Sequence, residues 1–499
     1  RPPRATLFPY TTLFRSVIVV LVLLLFVVAF MLVRTVLAMR GGEELTETPA
    51  ISVEAPVVAE HLATALRIET VSSLPPAPFP EREFKELHRL FERLYPHVHS
   101  VLTCEVVGQA GLLYTWPGKQ PDLPALVLCG HQDVVPADPA TLPQWKYPPF
   151  SGEIAEGYVW GRGALDDKSS VICILEAVEA LLRAEYQPER TVYLAFGQDE
   201  ETGGQSAKQI AALLAERGVA LAAVLDEGGS IMQGIVPGVQ QPTALLGYAE
   251  KGYLTLHLTV TADPGHSAAP PEQTAITILA AALLRLEKAP LPVRLDALRT
   301  LYADLGGAAS FGWQFLMNNL WLFGGIVRRQ VVRSPAAAAL VRTTRAVTLF
   351  QGGIKDNLLP ARAEAAVNFR LLPGDSIADI CEWARAAIDD ERVQIEAVSG
   401  GAWEASPVSD VTHPIYQQLA NVTRQTYPEA VPAPFLVIGA TDARSYAPLC
   451  PQTYRFTPLM LNAEDFKSVH GINERIEIET LGKMVEFYAR LLRAWGELE

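Results

Sequence analysis

Short apolar runs alternate with amphipathic stretches along the first half of the chain. The segments 125–130, 191–197 and 222–225 are almost wholly apolar and end in polar residues, which predicts short buried strands. Between them, residues 169–185 and 206–218 carry apolar side chains at helical spacing. This alternation predicts an α/β fold with a mostly parallel sheet that helices cover on both faces.

The pattern changes near residue 248. Apolar and polar residues alternate over 251–268 and again over 363–375, which predicts strands with one buried face. Each is followed by an amphipathic stretch that predicts a helix, and a long, less regular segment over 290–345 lies between them. We therefore expect an inserted α+β domain at 248–399.

The α/β pattern then resumes. Residues 432–443 predict another buried strand, and residues 479–496 predict a C-terminal helix. Residues 56–247 and 400–499 are thus expected to form one α/β domain, interrupted by the insertion.

An apolar segment precedes both domains. Val17 to Val33 is a run of 17 uncharged apolar residues, close to the ~20 that a membrane-spanning helix needs. No small-residue cleavage site follows, so residues 17–40 are interpreted as an uncleaved membrane anchor, with a cleaved signal segment as the alternative. Residues 41–55 read as a linker.

The first residues resemble a sequencing artefact. Residues 1–16 include a string that matches the translation of a common DNA-sequencing adapter, and we exclude them from the fold. Because these residues are excluded, the positive charges on the two sides of the apolar segment cannot be compared, and the orientation of the anchor is not predicted. The expected location is the membrane with the folded domains outside the cytoplasm, or secretion. A cytosolic enzyme with a spurious apolar start remains an alternative.

Composition excludes several other classes. The net charge of −14 argues against a nucleic-acid partner, because such surfaces need clustered Lys and Arg. The five cysteines are scattered and form no CxxC pair, so neither a thiolate metal site nor a disulfide framework is indicated.

Charged residues follow each predicted buried strand. His131 and Asp133 follow the first, Glu200 and Glu201 the second, and Asp226 the third. Sites in open α/β sheets lie beyond the carboxyl ends of the strands, so these side chains are expected to share one cleft. The stretch "GRGALDDK" at 161–168 brings Asp166 to the same edge if its glycines form a tight turn.

Clustered carboxylates predict a cation. Like charges raise each other's pKa values, and a divalent ion removes that cost. Histidine with carboxylates suits zinc, and a carboxylate shared between ions suits a two-metal site. Asp133 stands two residues after His131, where it can fix the imidazole tautomer. Each piece alone is weak, and their joint occurrence in order carries the inference.

The motifs as a set resemble a known enzyme family. "HQDVVP", "GRGALDDK", "GQDEETGG", "LDEGG", "DPGHSAAP" and "HGINERI" are similar to the signatures of the dizinc aminoacylase/carboxypeptidase family. The resemblance is greatest to its carboxypeptidase S-like branch, near the secreted N-fatty-acyl-amino-acid hydrolases, and spans about residues 56–499. It implies a catalytic dizinc domain at 56–247 and 400–499 and a lid or dimerisation domain at 248–399.

The resemblance also implies residue roles. Glu200 corresponds to the general base, and the peptide bond between Asp166 and Asp167 is often cis in the family. His266 corresponds to a histidine that stabilises the oxyanion, in dimeric relatives at the neighbouring subunit's site. The metal ligands implied are His131, Asp166, Glu201, Asp226 and His470, and the substrate-binding candidates are Asn357, Arg370 and Arg444.

The expected function is hydrolysis of the amide bond to a C-terminal amino acid in peptides or N-acyl amino acids. The expected cofactors are two Zn²⁺ ions, with Co²⁺ or Mn²⁺ as substitutes, which activate a water for Glu200 to deprotonate. One alternative is an N-fatty-acyl-amino-acid hydrolase/synthase of the aminoacylase type. A more distant one is a non-catalytic, membrane-tethered binding protein. The expected partners are a small substrate, a membrane contacted by the N-terminal segment, and a second copy of the chain.

Overall fold

The computed structural model describes residues 10–39, 47–73, 77–398 and 401–498. The predictions for residues 1–9 and 40–46 therefore lie outside the described residues. The elements of the first part of the chain are α1 (Tyr10–Ala38), α2 (Ala55–Leu66), α3 (Glu81–Leu94), α4 (Pro96–Val101), β1 (Thr103–Val107), β2 (Gly111–Trp116), β3 (Ala125–His131), β4 (Glu153–Ala155), β5 (Tyr158–Trp160), α5 (Lys168–Arg183), β6 (Val192–Gly197), α6 (Gln205–Glu216), β7 (Leu221–Asp226), β8 (Ile231–Met232) and β9 (Thr243–Glu250).

The inserted part and the return to the first domain complete the chain. The inserted elements are β10 (Gly252–Thr261), β11 (Gly265–His266), α7 (Ala275–Lys288), α8 (Asp296–Leu305), α9 (Phe311–Asn318), α10 (Leu320–Val331), α11 (Pro335–Val341), β12 (Thr344–Gly352), β13 (Leu358–Leu359), β14 (Arg362–Leu371), α12 (Ile377–Ile388) and β15 (Val393–Ala397). The last elements are α13 (Pro414–Thr426), β16 (Val431–Val437), α14 (Ala443–Tyr446), β17 (Thr453–Arg455), β18 (Met460–Leu461), α15 (Ala463–Ser468), β19 (Arg475–Glu477) and α16 (Ile478–Gly496).

Ten strands form the main sheet, in the order β1-β2-β6-β3-β7-β17-β9-β8-β18, with β16 beside β9. The central pairs β6–β3, β3–β7 and β7–β17 are parallel. Along β3, Leu126 and Leu128 pack into the core that contains α5 and α16, whereas Val127 and Cys129 pack into the core that contains α6. Alternate side chains of one strand thus serve two cores, as the wholly apolar runs require, and the predicted α/β fold is confirmed.

A four-stranded antiparallel sheet, in the order β12-β14-β10-β15, forms the inserted domain. Helices α7 and α12 cover one face and close a separate core that includes Leu254, Leu279 and Phe369. We call the residues 252–291 and 344–397 the lid.

The lid is smaller than the sequence suggested. Strand β9 belongs to the main sheet, so the insertion starts after Glu250 rather than at 248. The segment 290–345, expected to belong to the lid, forms the helices α8 to α11, and Leu298, Leu301 and Tyr302 of α8 join the core of the main domain. An amphipathic helix shows that it has a buried face, but not which domain covers that face.

The glycine-rich turn before α5 is fastened by a buried carboxylate from the far end of the chain. Glu474 Oε1 accepts hydrogen bonds from the backbone N–H groups of Gly163 (3.1 Å), Leu165 (2.8 Å) and Asp166 (3.2 Å). Its Oε2 accepts from Nη1 of buried Arg162 at 2.6 Å. Gly163 has φ +90°, and a Cβ there would lie 2.7 Å from Val134 Cγ1, so the turn needs glycine at this position.

We expect Glu474→Ala to lower the free energy of unfolding by about 3–5 kcal/mol, because it leaves a buried guanidinium and several buried N–H groups unpaired. Urea unfolding measures the change. Glu464→Ala is the matched control, since this carboxylate is 86% exposed and lies 4.0 Å from Arg475. Equal effects of the two substitutions would contradict this account of the turn.

Candidate active site

The charged residues that meet at the sheet edge come from five separate segments. His131 ends β3, Asp166 lies in the turn before α5, and Glu200 and Glu201 follow β6. Glu227 follows β7, and His470 precedes β19. Because β6, β3 and β7 are parallel neighbours, their carboxyl ends bring three of these segments to one place.

The Asp166 carboxylate lies between two groups of side chains. Its Oδ1 is 2.8 Å from Nε2 of His131, and its Oδ2 is 3.0 Å from Nε2 of His470. Glu227 Oε1 is 3.5 Å from the same nitrogen of His131, and Glu201 Oε1 is 3.0 Å from that of His470. The peptide bond between Asp166 and Asp167 is cis, as the resemblance implied. One carboxylate therefore faces two histidine–glutamate pairs.

Asp226 differs from the expectation. Its Oδ2 accepts a hydrogen bond from the Ala443 N–H at 2.5 Å, and its Oδ1 accepts from the Glu227 N–H at 3.0 Å. The carboxylate thus ties β7 to the start of α14, and the next residue, Glu227, approaches His131 instead. Adjacent residues at a strand end point in different directions. The pair "DE" therefore located this part of the site, but the sequence did not show which of the two carboxylates approaches His131.

Asp133 has a wider role than expected. Nδ1 of His131 lies 3.0 Å from the backbone carbonyl of Asp133 and 3.3 Å from its carboxylate. That carboxylate also accepts hydrogen bonds from the N–H groups of Glu200 (3.2 Å) and Glu201 (3.3 Å). Ser72 Oγ donates to it at 2.6 Å. The residue therefore holds His131 with Nε2 directed at Asp166 and fixes the turn that carries both glutamates.

The site contains more acidic than basic groups. Burial, together with neighbouring carboxylates, raises the pKa values of Glu200, Glu227 and Asp167 well above their usual range. Hydrogen bonds to Asp166 and Glu201 raise the pKa of His470 to about 10. All four pKa values are raised, and a raised pKa in an acid and in a histidine alike indicates that negative charge exceeds positive charge in this site.

The donor atoms fit a metal ion. Ligand atoms of His131, Asp166 and Glu201 lie within 4.8 Å of one another, and so do those of His131, Asp167 and Glu227. Imidazole nitrogens and carboxylate oxygens are the donors that zinc and similar divalent ions take in proteins. Asp167 was not expected in this group, and only its place beside Asp166 hinted at it. The structure therefore contains a candidate metal-binding cluster.

Arg444 and Arg370, expected to bind substrate, lie at the two ends of one stack of side chains. The Arg444 guanidinium lies over the Trp403 ring at 4.7 Å, and Trp403 stacks on Tyr253 with centroids 4.7 Å apart. The Arg370 guanidinium lies over the other ring, of Tyr253, at 4.7 Å. Arg444 Nη1 is also 4.0 Å from Glu200 Oε1. No pattern in the sequence pointed to Trp403, which lies where the chain returns from the lid to the main domain.

His266 and Asn357 lie together elsewhere in the lid. His266 pairs with Leu358 across β11 and β13, and the N–H of Ser267 donates to the Asn357 carbonyl at 3.2 Å. Both residues are exposed. His266 follows β10 and Asn357 precedes β14, so both lie beyond the end of these strands at which Thr261 pairs with Arg362. Arg370 pairs with Tyr253 at the opposite end of the same two strands. Eight residues of strand separate the two ends by roughly 26 Å.

The sequence is similar to proteins of known class. It is 38% identical over 441 residues to a probable carboxypeptidase S-like protein of Dictyostelium discoideum, covering 87% of this chain and 84% of that protein. It is 38% identical over 415 residues to the N-fatty-acyl-amino acid synthase/hydrolase of Homo sapiens, covering 82% of each.

The fold has relatives among crystal structures. An M20 family metallo-carboxypeptidase from Sulfolobus solfataricus superposes with a TM-score of 0.66 at 18% identity, over 88% of this chain and 99% of that one. Human carnosine dipeptidase 1 gives a TM-score of 0.62 at 14% identity, over 89% and 97%. Residues 127–494 match the sequence pattern of Peptidase family M20/M25/M40, and the chain belongs to that family.

Proposed function

We propose that this chain is a metal-dependent hydrolase that cleaves the amide bond to a C-terminal amino acid in peptides or N-acyl amino acids. The observation that carries the proposal is the Asp166 carboxylate, which faces one histidine–glutamate pair on each side. Glu200 is close enough to interact electrostatically with Asp166 and His131. The names of the similar proteins, a carboxypeptidase S-like protein and an N-fatty-acyl-amino acid synthase/hydrolase, support the same bond class.

Two divalent ions, Zn²⁺ by family resemblance, fit this arrangement. His131, Asp166 and Glu227 would hold one ion, and Asp166, Glu201 and His470 the other, so Glu227 takes the place expected for Asp226. When bound, such ions polarise a carbonyl and lower the pKa of water.

Glu200 is the proposed proton carrier. Burial first, and the nearby carboxylates next, raise its pKa well above the usual value, which suits a group that both takes and returns a proton. The Glu200 backbone N–H donates a hydrogen bond to the Asp133 carboxylate, which fixes the position of the Glu200 backbone. In the proposed reaction Glu200 accepts the proton of the attacking water and delivers it to the leaving nitrogen.

Arg444 is the proposed partner of the substrate carboxylate. Its guanidinium lies beside Glu200 and is held over Trp403, and a guanidinium can bind a carboxylate through two parallel hydrogen bonds. Arg370, at the other end of the stack, is a second candidate. The acyl side of the substrate decides between a carboxypeptidase and an N-fatty-acyl-amino-acid hydrolase/synthase.

We also propose that the chain works as a dimer formed through the lid. Strand β12 is an edge strand, and its Val347, Leu349 and Phe350 are exposed. Long apolar edges are templates for pairing with another chain. His266 and Asn357 lie at the end of the lid sheet remote from Arg370, so they would serve the site of the second subunit.

The N-terminal helix is the proposed membrane anchor. Among the described residues, Phe14–Ala38 is the helix long and apolar enough to cross a bilayer. The catalytic domain would then lie outside the cytoplasm. A secreted form results if the segment is removed.

The metal assignment is tested by neighbouring substitutions. We expect Glu227→Gln to reduce the zinc retained after dialysis, because it removes a charged ligand. Asp226→Asn should retain zinc but lose about 1–3 kcal/mol of stability, because an amide cannot accept both hydrogen bonds. Elemental analysis and urea unfolding measure the two effects. The reverse pattern would restore Asp226 as the ligand.

The reaction is tested with Glu200→Gln. We expect the variant to retain zinc and fold but to lose roughly 10²–10⁴-fold in turnover, since the amide cannot carry the proton. Release of free amino acid is measured on dipeptides and on short-chain and long-chain N-acyl amino acids that share the C-terminal residue, with zinc and with a chelator.

Substrate preference in that panel separates the two enzymes. Faster release from dipeptides favours the carboxypeptidase, and faster release from long-chain N-acyl amino acids favours the aminoacylase type. If wild-type protein with zinc released nothing from any substrate yet bound several, the non-catalytic alternative would be correct.

The dimer is tested by co-expressing two variants that are each expected to be inactive alone. Co-expressed His266→Ala and Glu200→Gln chains should recover roughly a quarter of wild-type turnover, because half the dimers are mixed and each mixed dimer has one complete site. Each variant expressed alone is the control. If the mixture is no more active than the controls, His266 does not act across a dimer.

A further inference from the structure

The helices α9 and α10 present an apolar face that the main domain leaves uncovered. Phe311, Trp321, Leu322 and Ile326 are 46%, 58%, 52% and 65% exposed. We call these four side chains the insert face. On the opposite side of the same helices, Met317 and Val327 join the main core, so the helices are firmly seated on the domain.

The N-terminal helix packs against the pair of helices α9 and α10, which we call the insert. Helix α1 contacts α9, and Nδ2 of Asn319, between α9 and α10, donates to Thr35 Oγ1 at 3.4 Å, with both residues fully buried. Met31, one turn before Thr35, is also buried. The end of α1 is therefore fixed to the insert rather than connected to it by a loose linker.

The contact with α1 determines how far the insert face lies from the end of that helix. Trp321 lines one concavity with Phe26, Val27, Phe30 and Arg34 of α1. At 1.5 Å per residue, Phe30 and Phe26 lie about 6 and 12 Å along the axis from Arg34. Interfacial helices bury their apolar faces about 5–10 Å below the headgroups. If Arg34 lies at the headgroups, Trp321 lies at the depth of such a helix.

The charge of the insert complements an anionic lipid surface. The chain carries a net charge of −14, yet residues 306–345 include no Asp or Glu. Arg328, Arg329 and Arg333 are exposed, and no ion pair involves them within the described ranges. Basic side chains near an anionic bilayer are attracted to its surface.

We propose that the insert face is a membrane-docking surface whose partner is a lipid bilayer with anionic headgroups. Phe311, Trp321, Leu322 and Ile326 lie among the acyl chains of one leaflet, beside the last turns of α1, and Arg328, Arg329 and Arg333 lie at the phosphates. The proposal rests on the membrane anchoring proposed above. Its consequence is that the catalytic domain is seated on the bilayer, where substrates with long acyl chains partition.

Tryptophan quenching tests the proposal. The full chain is reconstituted in vesicles of phosphatidylcholine and phosphatidylserine, with bromine on the upper acyl carbons of the phosphatidylcholine. We expect quenching of tryptophan fluorescence that largely disappears in Trp321→Phe. Trp383→Phe, which alters a lid residue on α12, is the matched control and should leave that quenching in place.

The charge component is tested in the same vesicles. Replacing phosphatidylserine by phosphatidylcholine should weaken the Trp321-dependent quenching, and Arg328→Gln with Arg329→Gln should abolish this dependence on phosphatidylserine. Arg217→Gln, on the catalytic domain, is the control and should not change it. Equal quenching with and without phosphatidylserine would overturn the anionic preference.

Flotation separates the two proposals. If the full chain floats with the vesicles but shows no quenching that depends on Trp321, the anchor stands and the docking surface is wrong. If Trp321 is protected because a second copy covers it, Trp321→Ser with Ile326→Ser should dissociate an oligomer in detergent, which would also overturn bilayer docking. A full chain that does not float at all overturns both the anchor and the docking surface.

Discussion

The constraint on which the site depends is the crowding of buried carboxylates at one edge of the sheet. Asp166, Asp167, Glu200, Glu201 and Glu227 meet two histidines there, and burial raises the pKa values of several of these acids. Without added positive charge such a group is costly to fold. The arrangement is therefore suited to binding cations, and hydrogen bonds from neighbouring residues hold several of its acids in place.

Two buried carboxylates outside the cluster do much of that holding. Glu474 fastens the turn that carries Asp166 and stands four residues after His470, so one side chain fixes the approach of two distant segments. Asp133 fixes His131 and the turn with Glu200 and Glu201. Acceptors of this kind act by satisfying backbone N–H groups, which could not stay buried without a partner.

The inserted residues divide between two hydrophobic cores. The lid has its own core and connects to the main site through the stack of Arg370, Tyr253, Trp403 and Arg444. The helices α8 to α11 instead join the main core and meet the end of α1. One insertion thus supplies both the lid and the part of the molecule nearest the N-terminal helix.

The sequence by itself determined the α/β class and the central strands, because buried parallel strands leave uninterrupted apolar runs and charged residues follow them directly. It indicated the family through the resemblance of its motifs to the family's signatures. It also supplied most of the residues that meet around Asp166. It could not choose Glu227 over Asp226, nor assign 290–345 to the main domain, nor find Trp403. Those outcomes depend on side-chain direction at a strand end, on which surface covers an amphipathic face, and on contacts between residues far apart in the chain, and only the tertiary structure decides them.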